Sequence, residues 1–191
     1  MKLRIVLQCV ALIAPMVSIG ANNTMQTMHD NAPDSGMAKA QSLPIAVPDD
    51  LRTKYVHLGS WLVADPNAPG HGFHDVYADF NSVETYRKTG RFPDGMTLVK
   101  EIRSIGSGTL TTGAAQWATE PGVWFVMVKD AKGRFRDSPL WGDGWLWALY
   151  EAKAPTTNVA TSYGEACQGC HIPAAKTDHV FIEGYPTLQR E

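Results

Sequence analysis

The run FPDGMTLVKEIRSIGSG, residues 92–108, decides the fold class. Pro93-Asp94-Gly95 is a turn sequence, because proline presets one backbone angle and glycine supplies the conformation other residues avoid. From Met96 to Ile105 the chain alternates. Leu98, Lys100, Ile102 and Ser104 fall on one face, and Thr97, Val99, Glu101 and Arg103 on the other. A period of two belongs to a strand, and Gly106-Ser107-Gly108 is expected to close it. Downstream, VWFVMVK (123–129) predicts a strand, DAKG (130–133) a turn and GWLWALYE (144–151) a last strand. Upstream, YVHLGSWLVA (55–64) and FHDVYADF (73–80) predict two strands separated by the turn residues of DPNAPG (65–70). VETYRKTG (83–90) predicts a short helix, capped by Asn81 or Ser82 and ended by Gly90. A helical pattern runs from about Ser162 to His171. Short strands with hairpin-like turns and few helices give a mainly β, or α+β, class built on an antiparallel sheet.

Outside this region the chain changes character. Residues 1–21, MKLRIVLQCVALIAPMVSIGA, have the layout of a secretory signal peptide. Lys2 and Arg4 precede an apolar run, and Ser18, Gly20 and Ala21 close it. The run is short for a membrane span and holds Gln8 and Pro15. Residues 22–47 are expected to be a flexible leader, and 48–191 the working domain. Cleavage would remove two positive charges, taking the net charge of −2 to −4. The layout implies a soluble periplasmic product with no membrane attachment, too acidic to carry a nucleic-acid footprint. Cys167 and Cys170 would be its two cysteines.

Those cysteines stand in Cys167-Gln168-Gly169-Cys170-His171, which fits C-x-x-C-H, the attachment pattern of c-type haem. Cysteines three apart lie one helical turn apart on one face. Their sulfurs can add to two vinyl groups along one porphyrin edge. His171 can then place a ring nitrogen beneath the iron as proximal ligand. Three other chemistries use C-x-x-C. A redox motif would sit near a βαβ unit, a structural zinc site needs four ligands, and a plain disulfide needs only an oxidising compartment.

Lys100 interrupts an otherwise apolar strand face. A lysine so placed either snorkels to water or faces a buried group, where desolvation leaves its amine neutral and nucleophilic.

Three runs, FPDGMTLVKEI (92–102), WGDGWLWALYE (141–151) and ACQGCHIPAAKTDHVFIEGYPTL (166–188), together resemble the cytochrome P460 family, which also contains the cytochromes c′-β. The likeness covers about residues 48–188. It implies a mainly antiparallel β fold, a homodimer, and one five-coordinate haem c whose open side takes a small ligand. In P460 members a lysine, matching Lys100 by its V-K-E context, is bonded to a haem meso carbon. Those members oxidise hydroxylamine and pass electrons to an external redox partner. The c′-β members lack the bond and hold nitric oxide or carbon monoxide in a pocket capped by phenylalanine. The resemblance therefore makes Cys167, Cys170, His171 and Lys100 the cofactor-binding residues, with His171 the iron ligand.

The residues on the ligand side are less legible. Phe73 and Phe80 are candidate caps, and Asp75, Asp79, Glu101 and Asp143 candidate proton acceptors. His57, His71 and His74 read first as strand or loop residues, with His74 able to reach the haem edge. His179 follows the motif and would pair with Asp178 or cover the haem. Lys176 and Arg103 are candidate propionate partners. Trp141, Trp145 and Trp147 read as core or dimer contact.

Overall fold

The computed structural model describes residues 42–189. The expected signal peptide and most of the expected leader lie outside them. After a single helical turn, α1 (Leu51–Lys54), come β1 (Tyr55–Val63), β2 (Gly72–Asp79), α2 (Phe80–Thr89), β3 (Thr97–Leu110) and β4 (Gly113–Lys129). The short β5 (Trp141–Gly142), β6 (Trp145–Glu151) and β7 (Ala154–Asn158) follow, then the four-residue helices α3 (Tyr163–Ala166) and α4 (Gln168–His171). Two 3-10 segments, Ile172–Thr177 and Pro186–Leu188, complete the chain. The strands form one antiparallel sheet in the order β1-β2-β3-β4-β6-β5, with β7 also pairing β6. Among the described residues no helix is long and apolar enough to cross a membrane.

Three boundaries differ from expectation, each for a local reason. The helix after β2 starts earlier, because Asp79 rather than Asn81 or Ser82 is its cap. The Asp79 carboxylate accepts from the Ser82 amide at 3.0 Å. Gly90, at φ 72°, ends it as expected. Second, Gly106-Ser107-Gly108 does not close β3. The strand runs on to Leu110 and pairs with a much longer β4. The glycines are there because Trp117 of β4 lies over them. A Cβ at Gly106 would stand 2.5 Å from the indole nitrogen. Third, β6 is not the last strand, since β7 returns along its far edge.

Both faces of the sheet are covered, which is why WLWALY in β6 is apolar throughout instead of alternating. One face carries Val76, Ala78, Leu98, Met127, Trp145 and Trp147 under α2, Phe92 and the C-terminal segment. The other carries Tyr77, Val99, Val126, Leu146 and Tyr150. Leu43, Ile45 and Val47, from the stretch expected as leader, pack partly buried against this second cluster. The Tyr150 hydroxyl donates to the Ile45 carbonyl at 2.9 Å.

The C-terminal segment is fitted to the first face through aromatic stacking. Tyr163 lies on Trp147 with ring centres 5.1 Å apart, and the Trp147 indole donates to the Gly142 carbonyl at 3.0 Å. Gly142 leaves the room for this. A Cβ there would overlap the Tyr163 ring. Gly142→Ala is therefore expected to cost about 1–3 kcal/mol by overpacking. Thermal unfolding should show a midpoint lower by about 5 °C. An unchanged midpoint would mean that Tyr163 is free to move aside.

Candidate functional site

The C-x-x-C-H segment is not one helix. Ser162 caps α3 by accepting from the Glu165 amide. The helix breaks at Cys167 (φ −132°, ψ −39°) and resumes as α4. The His171 amide still reaches the Cys167 carbonyl at 3.2 Å, so the motif keeps its one-turn spacing. Cys167 is buried, Cys170 exposed, and both thiols are free. Burial, then the neighbouring Cys170, pushes the Cys167 thiol up to about 11, although Lys100 draws it the other way.

After α4 the chain doubles back. Asp178 and His179 both take left-handed backbone angles, φ 61° and 65°. This turn brings the His179 carbonyl to 2.7 Å from His171 Nδ1. A carbonyl only accepts, so Nδ1 carries the hydrogen and Nε2 is left with its lone pair. That is the arrangement that fixes the tautomer and orientation of a metal-binding imidazole. Trp147 holds the ring edge-on at 4.6 Å. Burial lowers the His171 pKa to about 4, so the ring is neutral at pH 7, as a ligand must be.

Asp178 anchors the turn. Its carboxylate is almost fully buried and accepts from Lys129 Nζ at 2.7 Å, the Phe92 amide at 2.9 Å and Arg91 at 3.3 Å. The expected pairing of His179 with Asp178 is not made. The His179 ring faces Asp143 instead, at 3.9 Å. Lys129 and its role were not legible in the sequence, because a lysine ending a strand looks solvated until the fold closes over it.

Lys100 faces this segment. Strand register puts it opposite Val76 of β2 and Phe125 of β4, on the face that carries Leu98. Its ammonium lies 4.4 Å above the Phe125 ring. Burial drives its pKa below the ordinary lysine value, and the charges it feels are those of Cys170 and Cys167. His171 and His74 in turn feel Lys100. The fold thus places Cys167, Cys170, His171 and His74 each within electrostatic reach of Lys100.

It does not bring the other candidates there. Glu101 points to the opposite face, where it accepts from Arg52 at 2.8 Å and the Trp124 indole at 2.7 Å. Asp75 shares that face and accepts from Ser60 and Arg103. Asp79 is the helix cap, and Asp143 accepts from the Tyr163 hydroxyl at 2.6 Å. Phe73 is on the face away from Lys100, and Phe80 is an exposed first residue of α2. The phenylalanines at the site are Phe125, under the Lys100 ammonium, and Phe181, whose ring centre lies 6.1 Å from that of His171. The strand of Phe125 was readable, but its partner in register was not. His57 and His71 are exposed, as is Lys176. Arg103 donates to the Thr119 carbonyl at 2.7 Å. Trp145 and Trp147 are core, and Trp141 lies half-buried under Arg136.

Two of the other uses of the motif, the redox pair and the zinc site, fit poorly. The sheet is antiparallel, so no βαβ unit frames a redox C-x-x-C. Among the described residues no group of three or more His, Cys, Asp or Glu side chains is placed to hold a metal ion. Two surface clefts among the described residues, one including Arg52 and Trp124 and the other Arg91 and Lys176, are lined by neither Lys100 nor the C-x-x-C-H residues.

The family model for cytochrome P460 matches residues 48–182 of the chain. The chain belongs to the cytochrome P460 family. No curated protein matches it. Membership of the cytochrome P460 family brings a haem cofactor with it. The residues present fit that group. A neutral imidazole with an oriented lone pair, two free thiols one turn apart and a desolvated amine converge on one face.

Proposed function

We propose that this member of the cytochrome P460 family carries one haem c and oxidises hydroxylamine to nitrogen oxides. The observation that carries the reading is Lys100 of β3, whose amine feels Cys167 and Cys170 and has its pKa lowered by burial. Haem, when bound, would supply a reversible one-electron couple and a place for a small ligand. The chain supplies the rest. Each thiol of Cys167 and Cys170 would add across a vinyl group, sulfur to one carbon and hydrogen to the other, with no net redox change. His171 would offer Nε2 to the iron while the His179 carbonyl holds its other nitrogen. Lys100 would offer its amine to the porphyrin edge, where a bond would replace one N–H and one C–H and would need a two-electron oxidant.

Further parts of the proposal rest on the sequence layout and the family resemblance. The first 21 residues are removed on export to the periplasm. An external one-electron carrier takes the electrons from substrate. The working protein is a homodimer.

A second reading follows from Phe125. Its ring covers the Lys100 ammonium, and an aromatic cap favours neutral diatomic ligands over a polar substrate. In that reading the protein binds nitric oxide or carbon monoxide without turnover, as cytochromes c′-β do, and Lys100 stays unbonded.

Digestion and mass spectrometry of protein matured in a host that attaches haem c separate the two. The first reading expects haem on one peptide containing Cys167 and Cys170 and on a second containing Lys100, with hydroxylamine turnover in the presence of an electron acceptor. A free Lys100 peptide, no turnover and tight nitric oxide binding by the ferrous protein would establish the second.

A further inference from the structure

Hydroxylamine oxidation releases protons, and the four candidate carboxylates are all engaged elsewhere. His74 is not. It stands on β2 opposite Trp61 of β1 and Ile102 of β3, which puts it on the face of Lys100. It is 5% exposed. Its Nε2 lies 2.6 Å from the Gly70 carbonyl, so Nε2 carries the hydrogen and Nδ1 keeps a bare lone pair. No partner reaches Nδ1. Burial lowers the His74 pKa, and Lys100 pushes in the same direction. The Trp61 indole beside it, edge-on with ring centres 5.3 Å apart, also has a buried N–H without a partner. Buried polar atoms in native proteins are paired almost without exception. Here an acceptor and a donor on neighbouring rings both lie unpaired, on the sheet face that carries Lys100.

We propose that His74 Nδ1 is the proton acceptor for a small ligand bearing N–H or O–H bonds, and that the Trp61 N–H donates to the oxygen of that ligand. The assignment rests on the hydroxylamine reading and deepens it. In the step, an N–H bond of the ligand breaks, its electron pair stays on the ligand nitrogen, and the proton bonds to Nδ1. The resulting imidazolium returns the proton to water before the next cycle. The electrons leave to the external one-electron carrier already named. The Gly70 carbonyl holds Nε2–H throughout, so the ring keeps its aim. Carbon monoxide has no hydrogen to give and gains nothing from Nδ1.

That contrast is the test. Haem-loaded wild type, His74→Leu and His74→Gln are compared by optical titration, with hydroxylamine against the ferric form and carbon monoxide against the ferrous form. His71→Ala, at an exposed neighbour, is the control. His74→Leu is expected to weaken hydroxylamine binding about tenfold and turnover about 100-fold. Its carbon monoxide affinity should stay within about twofold of wild type, since no hydrogen bond to that ligand is lost. His74→Gln keeps an acceptor oxygen without basicity, so it should restore much of the binding and little of the turnover. Equal losses for both ligands in both variants would mark His74 as a packing residue and overturn the assignment. Wild-type turnover that survives His74→Leu would also overturn it and leave the hydroxylamine reading standing. Selective loss of hydroxylamine binding in a protein without turnover would keep His74 as the ligand's acceptor and remove the enzymatic reading.

Discussion

Replacement of Lys100 by alanine is expected to return a red-shifted haem spectrum to that of an ordinary c-type haem and to lower hydroxylamine oxidation about 10–100-fold. Haem should stay attached, because Cys167, Cys170 and His171 lie on a separate segment whose contacts do not include Lys100's strand pairing. Stability should change little, within about 1 kcal/mol. The variant loses the ammonium contact with Phe125 but also ceases to hold an amine away from water. Lys100→Arg is the stricter control. It keeps the positive charge and the ring contact but has no nucleophilic amine at neutral pH, so it should behave like alanine in the spectrum. Optical spectra and turnover of the three proteins decide the matter. Identical spectra for wild type and both variants would remove any covalent role for Lys100.

Asp178→Asn is expected to cost about 3 kcal/mol and to lower the thermal midpoint by roughly 6–12 °C. Lys129 Nζ is buried beside Asp178 at 2.7 Å and over the Trp145 ring at 4.4 Å. Removing the carboxylate charge leaves that ammonium without its counter-ion in an apolar setting. Asparagine still accepts the left-handed backbone that Asp178 adopts, so the loss reports the charge and not strain. The double variant Asp178→Asn, Lys129→Met should recover much of the loss by removing the stranded charge. A single variant as stable as wild type would show that Arg91 and Lys129 are satisfied by water. The effect should also reach the site. Asp178 precedes the residue whose carbonyl orients His171, so a loosened turn should lower haem retention after denaturant exposure.

The sheet was legible because its signal is local. MTLVKEIRSI alternates by itself, and turn residues sit where strands end. Gly106 and Gly108 misled because the reason for them lies across the hairpin, in the Trp117 ring that fills the space above. The break at Cys167 has no signature in composition. It comes from seating Tyr163 on Trp147 while His171 meets the returning chain. C-x-x-C-H and the exceptional lysine of β3 were readable as residue types at fixed spacing. The place of Phe125, the anchoring role of Asp178 and the unpaired nitrogen of His74 were not, since each depends on how strands and tail pack together. His74 in particular reads as one of two histidines in a glycine-bounded loop until strand pairing separates a buried ring from an exposed one.

The unequal thiols bear on the order of assembly. Only thiolate reacts readily, and a group whose pKa is held near 11 offers little of it at neutral pH. A cofactor arriving at the finished fold would find Cys170 accessible and Cys167 buried in the core cluster that includes Tyr163. Under the proposed double attachment, both sulfurs must therefore be captured while the tail is still undocked. Maturation then precedes closure, and the docking of Tyr163 on Trp147 becomes the step that seals it.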